Sequence, residues 1–342
     1  MSIEKMERLK RIGKRTIIFE NEPKIVLTSS VVGPKEGKGP LGQYFHNVLE
    51  DDKAKEKTFE KAERQILSIA LNDVATKLKE KGEQLDCIVG GDLLNQITTT
   101  SFTAREMHLP LLGLYSACST MSESLLVGSM LIDGGYANTV ACSSVSHFSS
   151  AERQYRFPLE QGTQRPPIAQ WTVTGSGVCV LSNSKEDLPK ITRGQIGEVV
   201  DFGVVDVNNM GAAMAPAAMT TLVNFFEDTN TTPEDYDLIL TGDLGVLGSE
   251  ILCDLMKDRG FEFCNNHNDC GALIYNKNPK LFQGGSGAGC SASVFSAYIY
   301  PMLNKKEIKK MLFLATGALL STTSSQQGDS IPGISHLVEI KI

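Results

Sequence analysis

Leu111-Leu112-Gly113-Leu114-Tyr115-Ser116-Ala117-Cys118-Ser119-Thr120-Met121 carries a short apolar strand into a cysteine. A helical stretch of small residues follows until Asp133-Gly134-Gly135 stops it. A thiol at such a strand-to-helix elbow faces the free backbone N–H groups and the positive end of the helix dipole. That setting lowers a thiol pKa and also holds anions. The alternative is a small buried hydrophobe, the common state of a free cysteine.

The second half of the chain repeats the first. Asp86–Leu93 (DCIVGGDL) aligns with Asp237–Leu244 (DLILTGDL) at five of eight positions. Ala117-Cys118-Ser119 has its counterpart in Gly289-Cys290-Ser291, which opens a helix over 292–303, and the strand Val140–Ser143 is matched by Leu312–Ala315. An insertion of about twenty residues that includes Cys264–Cys270 accounts for the unequal spacing. The reading is an α/β chain of two pseudo-symmetric halves, residues 1–190 and 191–342, with parallel strands written as near-continuous apolar runs. Thr58–Lys81 reads as an amphipathic helix, and 149–170 as a long irregular stretch rich in Arg, Gln and Pro.

The bulk numbers exclude several classes. The 342 residues are 41% hydrophobic and 21% charged, as in an ordinary globular protein. A net charge of −7 argues against general nucleic-acid binding. No apolar run is long enough to span a bilayer, and the charged N-terminus has no leader-like apolar region. Eight cysteines without paired spacing read as reduced, mostly buried thiols. Cys264, His267 and Cys270 lack the further ligands of a zinc site and read as a polar turn, so no metal centre is expected. Lys5, Arg8, Lys10, Arg11, Lys14 and Arg15 make a basic N-terminal arm, either solvated or facing an anionic membrane surface.

The elbow, the Gly-rich strand Thr174–Leu181 and the Gly-rich loop Gln283–Gly289 resemble the thiolase superfamily. The resemblance implies a five-layered α-β-α-β-α fold with an acyl-accepting cysteine at position 118. More closely, the chain is similar to a non-typical member, the stage V sporulation protein AD family of endospore formers. Gly91–Gln96, Leu112–Tyr115, Gly134–Tyr136, Ser144–His147, Tyr155–Pro158 and the tail Thr316–Ser321 into Ser324–Gly328 carry that likeness. It implies a protein without turnover that binds dipicolinic acid, free or with calcium as counter-ion. Such a protein works at the cytoplasmic face of the forespore or spore inner membrane, as a peripheral protein, with membrane proteins of the same system. A homodimer is expected by family analogy, and no cofactor.

The residues weigh binding against catalysis. Thiolase-type transfer needs a base and oxyanion donors, yet Thr241–Gly245 and Gly284–Gly287 contain no histidine. Only His147 is expected near Cys118, as a partner or as a structural histidine. A flat aromatic dianion needs N–H or cationic partners and an apolar slot. The candidates are Cys118, Ser119 and Thr120 at the elbow, Arg105, Arg156 and Arg165 as guanidinium forks, His147, Ser286, and Ser324 in the 321–325 loop. Asp92 and Asp243 end matching strands and read as turn or capping carboxylates, with a calcium or ligand contact as the alternative. Two other functions stay open: acyl transfer by Cys118, or a scaffold with a vestigial pocket.

Overall fold

A computed structural model describes residues 10–156, 159, 162, 165–275, 281 and 283–342. Ten strands form its framework. β1 (Lys24–Val32), β2 (Cys87–Gly91), β3 (Leu111–Gly113), β4 (Thr139–Ser146) and β5 (Gly175–Ser182) belong to the first half. β6 (Lys190–Gln195), β7 (Leu238–Thr241), β8 (His267–Asp269), β9 (Lys310–Ala318) and β10 (Gly333–Lys341) belong to the second. The first half is ordered β3-β2-β4-β5-β1 and the second β8-β7-β9-β10-β6. In each half the first three strands run parallel, and the last two pair antiparallel. The same order and the same directions twice over are the structural form of the internal repeat. The halves touch edge to edge where Lys24 pairs with Lys190.

Helices complete five layers. α1 (Phe59–Glu80) and α2 (Thr98–Met107) cover the outside of the first sheet, α1 packing on β1 and β5. α1 starts at Thr58, whose hydroxyl accepts from Lys61 N–H, and ends with Lys77 and Lys79 against the negative end of its dipole. Its buried stripe is Ala62, Ile66, Ala70, Val74 and Leu78, a four-residue spacing that lays one face on the sheet. α5 (Met210–Thr229) and α6 (Gly245–Asp258) cover the outside of the second sheet. Between the sheets lie α3 (Thr120–Asp133) and α7 (Ala288–Val294), the two elbow helices. With helices on both faces, β4 and β9 are buried almost throughout, which is why they read as apolar runs. Each Leu or Ile sealed there contributes about 2 kcal/mol.

Three sequence expectations change. Residues 149–170 are not irregular throughout: α4 (Phe148–Tyr155) occupies the start, capped by the His147 ring. Cys264–Cys270 is not simply a turn. Residues 267–269 are the edge strand β8, polar because it has a single strand neighbour, and the extra segment follows it. Nor are all eight cysteines reduced. Cys253 on α6 and Cys264 in the loop after it are disulfide-bonded, because that loop folds back to a Cα separation of 5.7 Å.

The basic arm is partly spent on the body of the protein. Lys10 pairs with Asp133 at 2.8 Å and Arg15 pairs with Glu198, while Lys5 and Arg8 lie outside the described residues.

Candidate functional site

β3 ends at Gly113, and the chain turns through Ala117–Ser119 into α3. Ala117 takes a left-handed φ of 51°, a conformation that costs a residue with a side chain about 1 kcal/mol or more. Hydroxyls hold this turn. Thr120 Oγ1 donates to the Ala117 carbonyl at 2.7 Å, and Ser116 Oγ to Glu123 at 2.7 Å. Ser119 Oγ donates to the Ala315 carbonyl at 2.8 Å and accepts from His336 N–H at 3.2 Å, fastening the elbow to β9 and β10. Gly317 backs the elbow so closely that a Cβ there would lie 2.2 Å from the Ser116 carbonyl. Ser119 and Thr120 are therefore buried and spend their hydroxyls on structure.

The elbow opens into a narrow cleft of about 510 Å³, counting its open mouth. Leu93, Ala151, Met210, Met214 and Leu320 make apolar walls, and Tyr115 and Tyr155 join hydroxyls at 2.8 Å along one side. Cys118, Ser286, Thr172, Glu152 and Arg156 supply the polar lining.

The Cys118 thiol contacts the carboxyl of Asp243, at the end of β7, across the boundary between the halves. Asp243 accepts from Gly287 N–H at 2.9 Å, Ser286 Oγ at 3.2 Å and Thr316 Oγ1 at 3.0 Å. Burial pushes its pKa up to about 7. The thiol is driven well above its ordinary value, first by burial and then by the Asp243 charge. The lowering expected at the elbow is thus reversed, because the thiol faces a carboxyl and no cation.

A second polar cluster flanks the thiol. Glu152, near the end of α4, receives Arg156 at 2.7 Å and Arg165 at 2.9 Å. Arg156 is almost fully buried, and burial lowers its pKa while Glu152 raises it. Two guanidiniums on one carboxylate leave one unit of positive charge beside the cleft. Arg165 also donates to the Gln170 carbonyl and lies 5.4 Å from the Trp171 ring centre, itself stacked on Phe148. Gln170 Nε2 bridges the carbonyls of Asp243 and Gly285 at 2.6 and 2.8 Å.

Of the sequence candidates, Cys118, Arg156 and Ser286 line the cleft, and Arg165 stands behind Glu152. Three others are elsewhere. Arg105 points to solvent on α2, over Phe102 and beside Glu106, because its helix is in the outer layer. His147 is buried and fully occupied: Nδ1 accepts from Ser149 N–H at 3.1 Å, so Nε2 carries the proton and donates to the Asp52 carbonyl at 2.6 Å. It is a helix cap, not a partner of Cys118. Ser324 sits in the short helix Thr322–Gln326 and donates to the Ser321 carbonyl; from that segment of the chain Leu320 reaches the cleft instead.

Sequence reading missed the contacts of Asp243, together with Tyr115, Tyr155 and Glu152. Asp243 was visible as the acid ending the repeated strand. Its twin Asp92 does serve as a cap, accepting from Thr100 N–H and Oγ1 at 2.8 Å. In the second half Asp269 takes the capping of α6, receiving Leu244 and Gly245 N–H at 2.9 and 3.0 Å. That frees Asp243 to meet the Cys118 thiol from beneath the cleft lining. Among the described residues no group of three or more His, Cys, Asp or Glu side chains is arranged to hold a metal ion.

The sequence profile of the stage V sporulation protein AD family matches residues 13–341. The stage V sporulation protein AD of Bacillus subtilis (strain 168) is 42% identical over 328 residues, covering 96% of this chain and 97% of the relative. The chain belongs to the stage V sporulation protein AD family. Solved structures similar to this family member include a variant of OleA from Xanthomonas campestris (TM-score 0.58, 12% identity, 95% of this chain and 99% of that one). The 3-oxoacyl-[acyl-carrier-protein] synthase III of Aquifex aeolicus VF5 is also similar (TM-score 0.54, 13% identity, 94% and 100% covered). At such identities the likeness shows the fold alone, and the fold is thiolase-like. No described helix of this sporulation protein is long and apolar enough to cross a membrane.

Proposed function

We propose that this sporulation protein binds dipicolinic acid in the Cys118 cleft without turning it over. The observation that carries the reading is the Arg156–Glu152–Arg165 cluster. A buried cluster with one surplus positive charge of its own, set against apolar and aromatic walls, suits a flat aromatic carboxylate. Arg156 takes one carboxylate of the ligand. The other faces the open mouth, where calcium accompanies it as counter-ion.

The absence of turnover is supported by the thiol. Transfer chemistry needs a thiolate, and burial and the neighbouring Asp243 carboxyl both favour the protonated thiol.

Within this reading the protein acts at the cytoplasmic face of the forespore or spore inner membrane, with membrane proteins of the same system, and forms a homodimer. Calorimetric titration with dipicolinate, with and without calcium, tests it, using benzoate as a comparison that lacks the second carboxylate. Saturable binding of dipicolinate supports it. Absence of binding, together with acylation of Cys118 by an acyl-CoA, would establish the acyl-transfer alternative.

A further inference from the structure

Between Gly194 and Met256 the chain contains eleven Asp and Glu and no Lys, Arg or His, whereas the whole chain has a net charge of only −7. The rest of the molecule is therefore net positive, and this segment, which includes both outer helices of the second half, carries the acidity; of its eleven acids only Asp243 is buried. Arg15 meets Glu198, and backbone N–H groups of Lys14, Arg15 and Thr16 meet Asp228. Asp206, Glu227, Glu250 and Asp254 are exposed on the same outer layer.

At one end of this layer the connector from β6 to α5 exposes Ile196, Val199, Phe202 and Val205 at 55, 60, 60 and 62% of their surface. Such side chains in a loose loop would carry little meaning. Here the backbone beneath them is bolted down. Val200 and Gly333 exchange two backbone hydrogen bonds at 2.9 and 2.7 Å, Ile331 N–H donates to the Val204 carbonyl at 2.7 Å, and Asp201 accepts from Ser330 Oγ and Gly203 N–H. Gly197 N–H donates to His336 Nδ1 at 3.2 Å. The four side chains thus make an exposed apolar ridge along an ordered segment that itself carries the exposed acids Glu198, Asp201 and Asp206.

We propose that this ridge docks a protein partner through a basic amphipathic segment, with aliphatic or aromatic side chains on the ridge and Lys or Arg toward the acidic residues. Charge selects this occupant. An anionic bilayer surface is repelled by the same acids, and a two-fold contact between copies would set like charge against like. None of the four side chains lines the cleft, so the inference stands whatever the cleft binds.

The probe is a fluorescent amphipathic peptide with Leu and Trp along one helical face and Lys along the other, titrated into the full-length protein by anisotropy. Binding should weaken at least tenfold in the Val199→Ser/Phe202→Ser/Val205→Ser variant, and at least threefold in Glu250→Lys/Asp254→Lys, with dipicolinate affinity unchanged in both. Circular dichroism and thermal melts establish that the variants remain folded. A peptide with Glu in place of Lys should not bind. Equal binding of the Lys peptide to wild type and ridge variant would overturn the proposal. So would ridge-dependent binding to phosphatidylglycerol vesicles, or a dimer in sedimentation that the ridge variant abolishes.

Discussion

The Cys118 thiol, which lines the cleft, meets the buried Asp243 carboxyl, one residue from each half of a duplicated chain. Their pseudo-symmetric counterparts do something else: Cys290 is sealed in the core, and Asp92 caps a helix. A repeat that is symmetric in its strands is thus asymmetric in its chemistry. The single cleft-facing thiol is paired with an acid.

Thiol reactivity follows from that contact. Alkylation of Cys118 by iodoacetamide, followed by mass spectrometry, should be slow at pH 7. Asp243→Asn removes the charge that helps raise the thiol pKa, so the rate at pH 8 should increase severalfold. An unchanged rate would mean that burial alone sets the thiol.

Asp243 also makes stability depend on pH. Its folded pKa, about 7, exceeds the unfolded value near 3.8, so the folded state binds more protons between the two. Stability from this group is fully present below pH 4 and is lost as pH rises toward 7, by about 4 kcal/mol at the upper limit. Urea unfolding at pH 5 and pH 8 should show wild type losing ground relative to Asp243→Asn. A constant difference between the two proteins would remove the assignment.

His147→Ala should separate structure from ligand. Losing the cap of α4 and the bond to the Asp52 carbonyl should lower stability by about 1–2 kcal/mol. Dipicolinate affinity measured on the folded variant should stay within twofold of wild type, since the ring is outside the cleft.

Much of this architecture was legible in the residues. The elbow at Cys118 and the repeated DCIVGGDL and DLILTGDL strands carry the two halves and their order, because buried parallel strands and small-residue elbows leave strong local patterns. The site was less legible. Arg156 was a candidate, but its sharing of Glu152 with Arg165 depends on how the chain returns after α4, which no spacing encodes. His147 looked close to Cys118 along the chain, yet its ring is consumed by its own helix and by Asp52. The polar strand β8 was hidden because an edge strand needs no apolar alternation. The role of Asp243 became visible only once Asp269 was seen to have taken over the cap of α6.

The most direct test of dipicolinate binding compares wild type with Arg156→Ala and Cys118→Ala by isothermal titration calorimetry. A charged hydrogen bond of about 1.5–3 kcal/mol corresponds to roughly 10–100-fold in affinity. Arg156→Ala should therefore weaken binding by at least tenfold, while Cys118→Ala, which removes only part of the cleft floor, should weaken it severalfold. Tight binding that survives loss of the Arg156 guanidinium would contradict the account and move the ligand away from this cleft.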